Sequence, residues 1–253
     1  MRKIRRLPEA KFETEIDLGD RTVPLVARVN RRAKRLIVKV DSLEGRVVVT
    51  APSKRALPEA LRFAGERSSW IRARLDEGAP ARPFVDGGLC PYRGVMHAIR
   101  CEGSPRLLAR VVTEGTPVIR VGGDPAHVNR RLVDWLKSEA RAALTERAQA
   151  HSAQLGKNFS RISIRDSRSR WGSCSRDGVL SFSWRLILAP PYILDYVAAH
   201  ECAHLVHLNH SPAYWRALLS LGVDENAARA WFEENGEALH AWGATPPVWR
   251  RAA

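Results

Sequence analysis

Pro190-Pro191-Tyr192-Ile193-Leu194-Asp195-Tyr196-Val197-Ala198-Ala199-His200-Glu201-Cys202-Ala203-His204 is the stretch on which the reading of this 253-residue chain turns. Pro191 suits a first helical position, where a missing N–H leaves no bond unmade. The apolar residues that follow, Ile193, Leu194, Tyr196, Val197, Ala199, Ala203, Leu205 and Val206, predict a buried helix from about Tyr192 to Leu208. His200 and His204 are four apart, so both imidazoles lie on one helical face, one turn from each other. Two ring nitrogens so placed can meet one metal ion. Glu201 follows the first of them and can lean toward a metal-activated water as general base. A buried Glu and two buried His need partners, and a cation satisfies all three.

A catalytic zinc takes three protein ligands and keeps one corner for water. Three residues compete for the third place. His207 shares the helical stripe, but seven residues from His200 is about 10.5 Å along an unbroken helix, too far for one ion. His210 sits in a sharp turn. Asn209 before it can take the left-handed conformation that ends a helix, and Ser211-Pro212 after it reads as the N-cap and first position of the next helix. Glu225, on that later part of the chain, is the third option. The His200–His210 spacing equals that of the metzincins, yet their Met-turn is missing, because the two methionines, Met1 and Met96, both lie upstream.

Outward from this helix the pattern alternates. Residues 127–154 read as a long helix burying Leu132, Trp135, Leu136, Ala140, Ala143 and Leu144. Ile162 and Ile164 mark a half-exposed strand. Trp171–Cys174 and Val179–Arg185 form a hairpin about Arg176-Asp177-Gly178. Helices near Pro212–Leu221 and Asp224–Trp242 close the chain. Further upstream, Leu36–Val40 and Val47–Thr50 read as a strand pair, and Leu57, Leu61, Ala64, Ile71 and Leu75 as the stripe of one amphipathic helix that Gly78-Ala79-Pro80 breaks. Short strands are expected around Met96–Arg100, Leu107–Val112 and Pro117–Val121. The fold class is therefore α+β. Gly122-Gly123-Asp124-Pro125 is the expected boundary between a β-rich region with one helix, residues 1–123, and a second domain, residues 124–253; the same Gly pair also suits a plain strand-to-helix turn.

The segment from Arg170 to Trp215 resembles the YgjP-like zinc metallopeptidases, which are related to SprT-type proteins. The matching residues are Arg170-Trp171-Gly172-Ser173-Cys174-Ser175, Gly178, Ser183 through Pro191, Asp195-Tyr196-Val197, His200 through His204, Asn209-His210-Ser211 and Tyr214-Trp215. A weaker likeness reaches Arg31-Arg32-Ala33-Lys34-Arg35 and Trp70. The resemblance implies a zincin-like domain whose metal helix packs on a small sheet, with Zn2+ held by His200, His204 and His210 and with Glu201 as catalytic base. Peptide bonds in a peptide or protein would be hydrolysed by a metal-activated water. Arg170, Tyr192, Tyr214 and His207 are candidate donors to the oxyanion. Arg170, Trp171, Tyr192 and Tyr214 are the candidate substrate contacts, with Trp171–Ser175 as a strand edge that could hold an extended peptide. Packing is the competing role for each aromatic residue.

Composition sets the outer bounds. The net charge is +14, and residues 1–55 hold 15 Lys/Arg against 7 Asp/Glu, whereas residues 191–253 hold 4 against 7. A basic N-terminal region can attract nucleic acid or acidic protein, or can simply be a solvated surface. A zinc-containing nucleic-acid-associated adaptor without peptidase activity is thus the alternative function. Four Cys show no Cys-x-x-Cys pair, which fits free thiols in a reducing cytoplasm. Met1-Arg2-Lys3-Ile4-Arg5-Arg6-Leu7-Pro8 is basic with no apolar run behind it, so it does not read as a signal peptide, and no stretch reads as a membrane span.

Overall fold

A computed structural model describes residues 11–78, 80–112, 115–167, 170–246 and 250–251. The basic start Met1–Pro8 and Ala79 lie outside the described residues. The chain divides into two compact units, residues 1–82 with 244–253, and residues 83–243.

The first unit is a sheet with two helices. Its strands are β1 (Lys11–Asp17), β2 (Arg21–Val29), β3 (Ile37–Asp41) and β4 (Arg46–Ala51), in the order β1-β2-β4-β3, and a short fifth strand, Arg250–Arg251, pairs antiparallel with β2 at Arg21 and Thr22. The expected pair Leu36–Val40 and Val47–Thr50 is the antiparallel β3–β4, with Asp41 opposite Arg46. Sequence reading missed β1 and β2. Pro24 makes β2 look unfit for the middle of a sheet. It is tolerated because β4 pairs only from Leu25 onward, so Pro24 faces a ladder on one side only, opposite Glu15. The single helix expected from Leu57 to Leu75 is two, α1 (Leu57–Gly65) and α2 (Ser68–Asp76). Gly65 ends the first, and Arg67 N–H closes a tight turn onto the Ala64 carbonyl (3.1 Å). Ala60, Ala64, Ile71 and Leu75 still share a buried stripe against Val23, Leu25, Val47 and Val49.

The second unit opens with a four-stranded sheet. Its strands are β5 (Leu89–Tyr92), β6 (Val95–Cys101), β7 (Arg110–Val112) and β8 (Val118–Val121), in the order β5-β6-β8-β7. Gly122–Pro125 follows inside this unit as the turn from β8 into a helix. Asp124 caps a short 3-10 turn by accepting from Ala126 N–H (2.8 Å), and α3 (Val128–Gln154) follows. A second sheet then forms from β9 (Arg161–Arg165), β10 (Gly172–Cys174) and β11 (Val179–Ser183). The hairpin about Arg176-Asp177-Gly178 is present, Gly178 supplying the positive φ (69°) that the turn needs. β9 joins β11 in parallel, so the order is β10-β11-β9 and β10 is an edge.

A 3-10 stretch over Trp184–Leu188 leads into α4 (Pro191–Ala203), the helix of the His-Glu-x-x-His segment. It is the centre of this unit, packed on α3 and on β10. Ile193, Ala198, Ala199, Cys202 and Ala203 are fully buried. Burying one such Ile or Leu side chain is worth roughly 1.5–3 kcal/mol. After α4 come α5 (Pro212–Ser220) and α6 (Glu225–Ala241), capped by Ser211 and Asp224. Among the described residues, no helix is long and apolar enough to cross a membrane.

Candidate metal centre

α4 ends at Ala203, one turn earlier than the apolar pattern predicts. The Ala203 carbonyl accepts from both Val206 N–H (3.1 Å) and His207 N–H (3.0 Å), which winds the chain tightly and stops the helix. His204 is therefore the C-cap, and its Nδ1 lies 2.9 Å from the His207 carbonyl. His207 contributes this backbone oxygen to the centre. Such a bond, a ring N–H donated to a carbonyl, fixes the tautomer and leaves Nε2 with its lone pair. Asn209 does not adopt the left-handed conformation; among the described residues other than glycine, Arg93 alone has a positive φ. The turn at Val206–His207 does the work expected of Asn209. Ser211 caps α5 as expected, through its Oγ and Tyr214 N–H (3.4 Å), and so holds His210 at the start of that helix.

The three imidazoles meet. One ligand nitrogen from each of His200, His204 and His210 lies within 4.8 Å of the other two. The Nε2 atoms of His200 and His210 are 3.3 Å apart, a spacing at which lone pairs repel unless a proton or a cation stands between them. Burial, then the neighbouring His204 and His210, hold His200 down to about 4, so it stays neutral and keeps its lone pairs. Its buried Nδ1 has no hydrogen-bond partner. Burial likewise lowers His204. Three imidazoles in one place form a borderline-soft nitrogen donor set that fits a divalent transition-metal ion. Glu225 is not a member of this cluster; its carboxylate takes Arg229 on the next turn of α6 (3.2 Å).

Glu201 is 5 % exposed. Burial pushes its carboxyl up to about 8, against the pull of the Arg170 charge. Its place is made by Gly172 on β10. A Cβ there would lie 2.5 Å from Glu201 Oε1 and 2.6 Å from Cγ, so the carboxylate occupies the space a side chain would need. Cys202, on the other side of α4, is fully buried against the Ala148 carbonyl and is no part of the site.

The remaining candidates separate. Tyr214 is fully buried, and its hydroxyl donates to the His200 carbonyl (3.2 Å) while its ring packs on all three imidazoles, at 4.6–5.4 Å between centroids. Trp171 is half-buried and stacks on His240 (4.3 Å) and Phe232 (5.2 Å), which ties β10 to α6. Tyr192, at the first turn of α4, lines a different cleft with Arg93 and Arg147. Arg170 is exposed and its charge reaches Glu201. A groove of about 550 Å3 runs from His204 to the β10–β11 turn over Phe159, Leu205 and Val206.

One support of the helix that carries the site was not foreseen. Asp195 Oδ1 accepts from Arg147 Nε and from His151 Nε2, both at 2.6 Å, and so clamps α4 to α3. The signals were a lone Asp in an apolar helix and its place among the residues that carry the resemblance; neither names its partners, which lie far away in sequence.

A family model described as YgjP-like, metallopeptidase domain, matches residues 34–235. No curated protein matches the chain, and no solved structure does.

Proposed function

This chain belongs to the YgjP-like metallopeptidase family, and from that premise we propose that it is a zinc-dependent peptidase with His200, His204 and His210 as ligands and Glu201 as general base. The observation that carries the reading is the convergence of three imidazoles on one place, with a buried carboxylate one residue from the first of them. Three donors, and no fourth among the described residues, suit an ion that keeps a corner for water rather than a closed structural site. When bound, zinc supplies Lewis acidity and brings the pKa of a coordinated water toward neutrality.

The chain's own residues do the rest. Glu201 takes the proton of the attacking water on its carboxylate and delivers it to the departing amide nitrogen. Gly172 holds that carboxylate in place by offering no side chain. Tyr214 packs the three rings together and fixes the His200 backbone. Arg170 is left exposed beside Glu201 to meet the oxyanion or the substrate. Among the described residues β10 pairs with β11 alone in its sheet, so its outer edge can take main-chain hydrogen bonds from an extended peptide or unfolded protein, with side chains reaching the groove beside His204. Four free thiols fit a cytoplasmic setting.

The test is elemental analysis of the purified chain together with hydrolysis of an unfolded test protein, with and without chelator. One equivalent of zinc and chelator-sensitive cleavage are expected. Glu201→Gln should keep the metal and lose about 10²–10⁴-fold in kcat. A metal-loaded Glu201→Gln that cleaves at the wild-type rate would overturn the assignment, and an active wild type with no metal would overturn the whole proposal.

A further inference from the structure

The metal centre makes no use of the basic run Arg31-Arg32-Ala33-Lys34-Arg35 in the first unit. We propose that the end of the first unit's sheet where β2 and β4 finish binds nucleic acid through its phosphate backbone, without reading sequence.

The topology builds this surface. β2 and β4 are parallel and end side by side, Val29 opposite Ala51, and Asn30 N–H donates to the Ala51 carbonyl (2.8 Å). The two loops that follow therefore emerge together. Both are hydrogen-bonded turns. Asn30 Oδ1 accepts from Arg32 N–H (3.0 Å) and the Asn30 carbonyl from Ala33 N–H (2.9 Å); Ser53 Oγ accepts from Ala56 N–H (3.3 Å) and the Lys54 carbonyl from Leu57 N–H (3.3 Å). Arg31, Arg32, Lys34 and Arg35 of the first loop, and Lys54 and Arg55 of the second, are all exposed.

The six lie in stretches of chain that hold no acid. No Asp or Glu occurs between residues 21 and 40 or between 47 and 58. Among the described residues no carboxylate pairs with any of the six. Elsewhere in the unit acids do stand among the cations, and several pair: Arg21 with Asp76, Arg46 with Glu44, Arg62 with Glu66, and Arg74 with Glu77. Six like charges held together repel, and a partner that brings regularly spaced anions relieves them. A phosphate backbone is such a partner. Neither loop carries an aromatic residue on which a base could stack, so the contacts are to phosphate and carry no sequence preference.

The experiment uses the full chain and a labelled 20-base-pair duplex of mixed sequence, as DNA and as RNA, read by fluorescence anisotropy. If all six cations meet phosphates, log K against log salt has a slope of about −5 on the DNA duplex, and affinity falls about 10³-fold from about 50 mM to about 200 mM salt. R31E/R32E/K34E/R35E should weaken binding at the lower salt by at least about 100-fold, and K54E/R55E by about tenfold. Both variants should keep the thermal midpoint and the peptidase rate of the wild type, so a failure here is distinct from a failure at the metal centre. The proposal is overturned by an absence of duplex binding at low salt, by reversal variants that bind within threefold of wild type, or by polyglutamate binding as tightly as either duplex.

Discussion

At Gly172 two requirements meet in one missing atom. The glycine has an ordinary backbone conformation, so alanine is costly there only through what its Cβ would touch, the Glu201 carboxylate at 2.5 Å. Glu201 is too buried to swing into solvent, so it must shift among its neighbours. Gly172→Ala should therefore keep zinc stoichiometry and lose turnover by about 10²-fold, the usual cost of displacing a catalytic group by about 1 Å. Measuring kcat and metal content on the same sample checks this; a variant that loses both in proportion would mean that Gly172 serves the fold and not the base. His210 poses the complementary case. It is exposed and lies in the turn before α5, outside α4, so His210→Ala should leave the far-ultraviolet spectrum intact. Zinc affinity should fall by more than the about 10–100-fold that outer-shell substitutions cost. Glu225→Gln, which breaks the pair with Arg229 and removes no imidazole, should bind zinc as wild type does. Competition with a chromophoric chelator separates the two, and equal loss in both would assign the third ligand to Glu225.

Between elements, the clamp from α4 to α3 sets how firmly the metal helix is seated. Burial pushes Asp195 up, but the hydrogen bonds and charges of His151 and Arg147 outweigh it and hold the carboxyl below its ordinary value. A depressed carboxylate adds stability that is present above the unfolded pKa, about 4, and is lost as pH falls through the lower folded value. Asp195→Asn should cost on the order of 2 kcal/mol at pH 7 in urea unfolding of the metal-free protein. The gap to wild type should stay level down to pH about 5 and close below pH about 4; a gap independent of pH would refute a charge-based clamp. This clamp also shows where sequence reading stops. α4, the β10–β11 hairpin, α3 and the His200–His204 pair were legible because each is a local pattern of period 3.6, of a turn, or of spacing four. The Asp195–Arg147–His151 contact spans 44–48 residues and leaves no local trace. The end of α4 was read one turn too late because Leu205 and Val206 continue the apolar stripe after the backbone has turned. β2 was unread because Pro24 argues against a central strand, and only the pairing register shows that β4 starts beside it at Leu25.

Across the whole molecule, the two units have separate cores. Ile16 to Leu75 supply one, and Phe84 to Leu239 the other, with no buried residue in common. The division at Arg82–Pro83 falls just after the breaker Gly78-Ala79-Pro80, which reads equally as a plain helix end, whereas the Gly-Gly at 122–123 turns a strand into α3 inside the second unit. Chemistry and charge divide along the same line. The three imidazoles, Glu201, Gly172 and the Asp195 clamp all fall within residues 83–243, and the six cations of the β2–β4 end all fall outside them. A domain with its own core can in principle fold alone. The fragment Pro83–Gly243 should thus melt in one cooperative transition, take up one equivalent of zinc and cleave a short unfolded peptide. Its affinity for a nucleic-acid duplex should be no greater than that of the charge-reversal variant. Calorimetry, metal analysis and anisotropy on the one fragment decide the matter. A broad, non-cooperative melt with dye-accessible apolar surface would show that the first unit is needed to complete the fold, and full duplex binding by the fragment would move the polyanion site out of the β2–β4 loops.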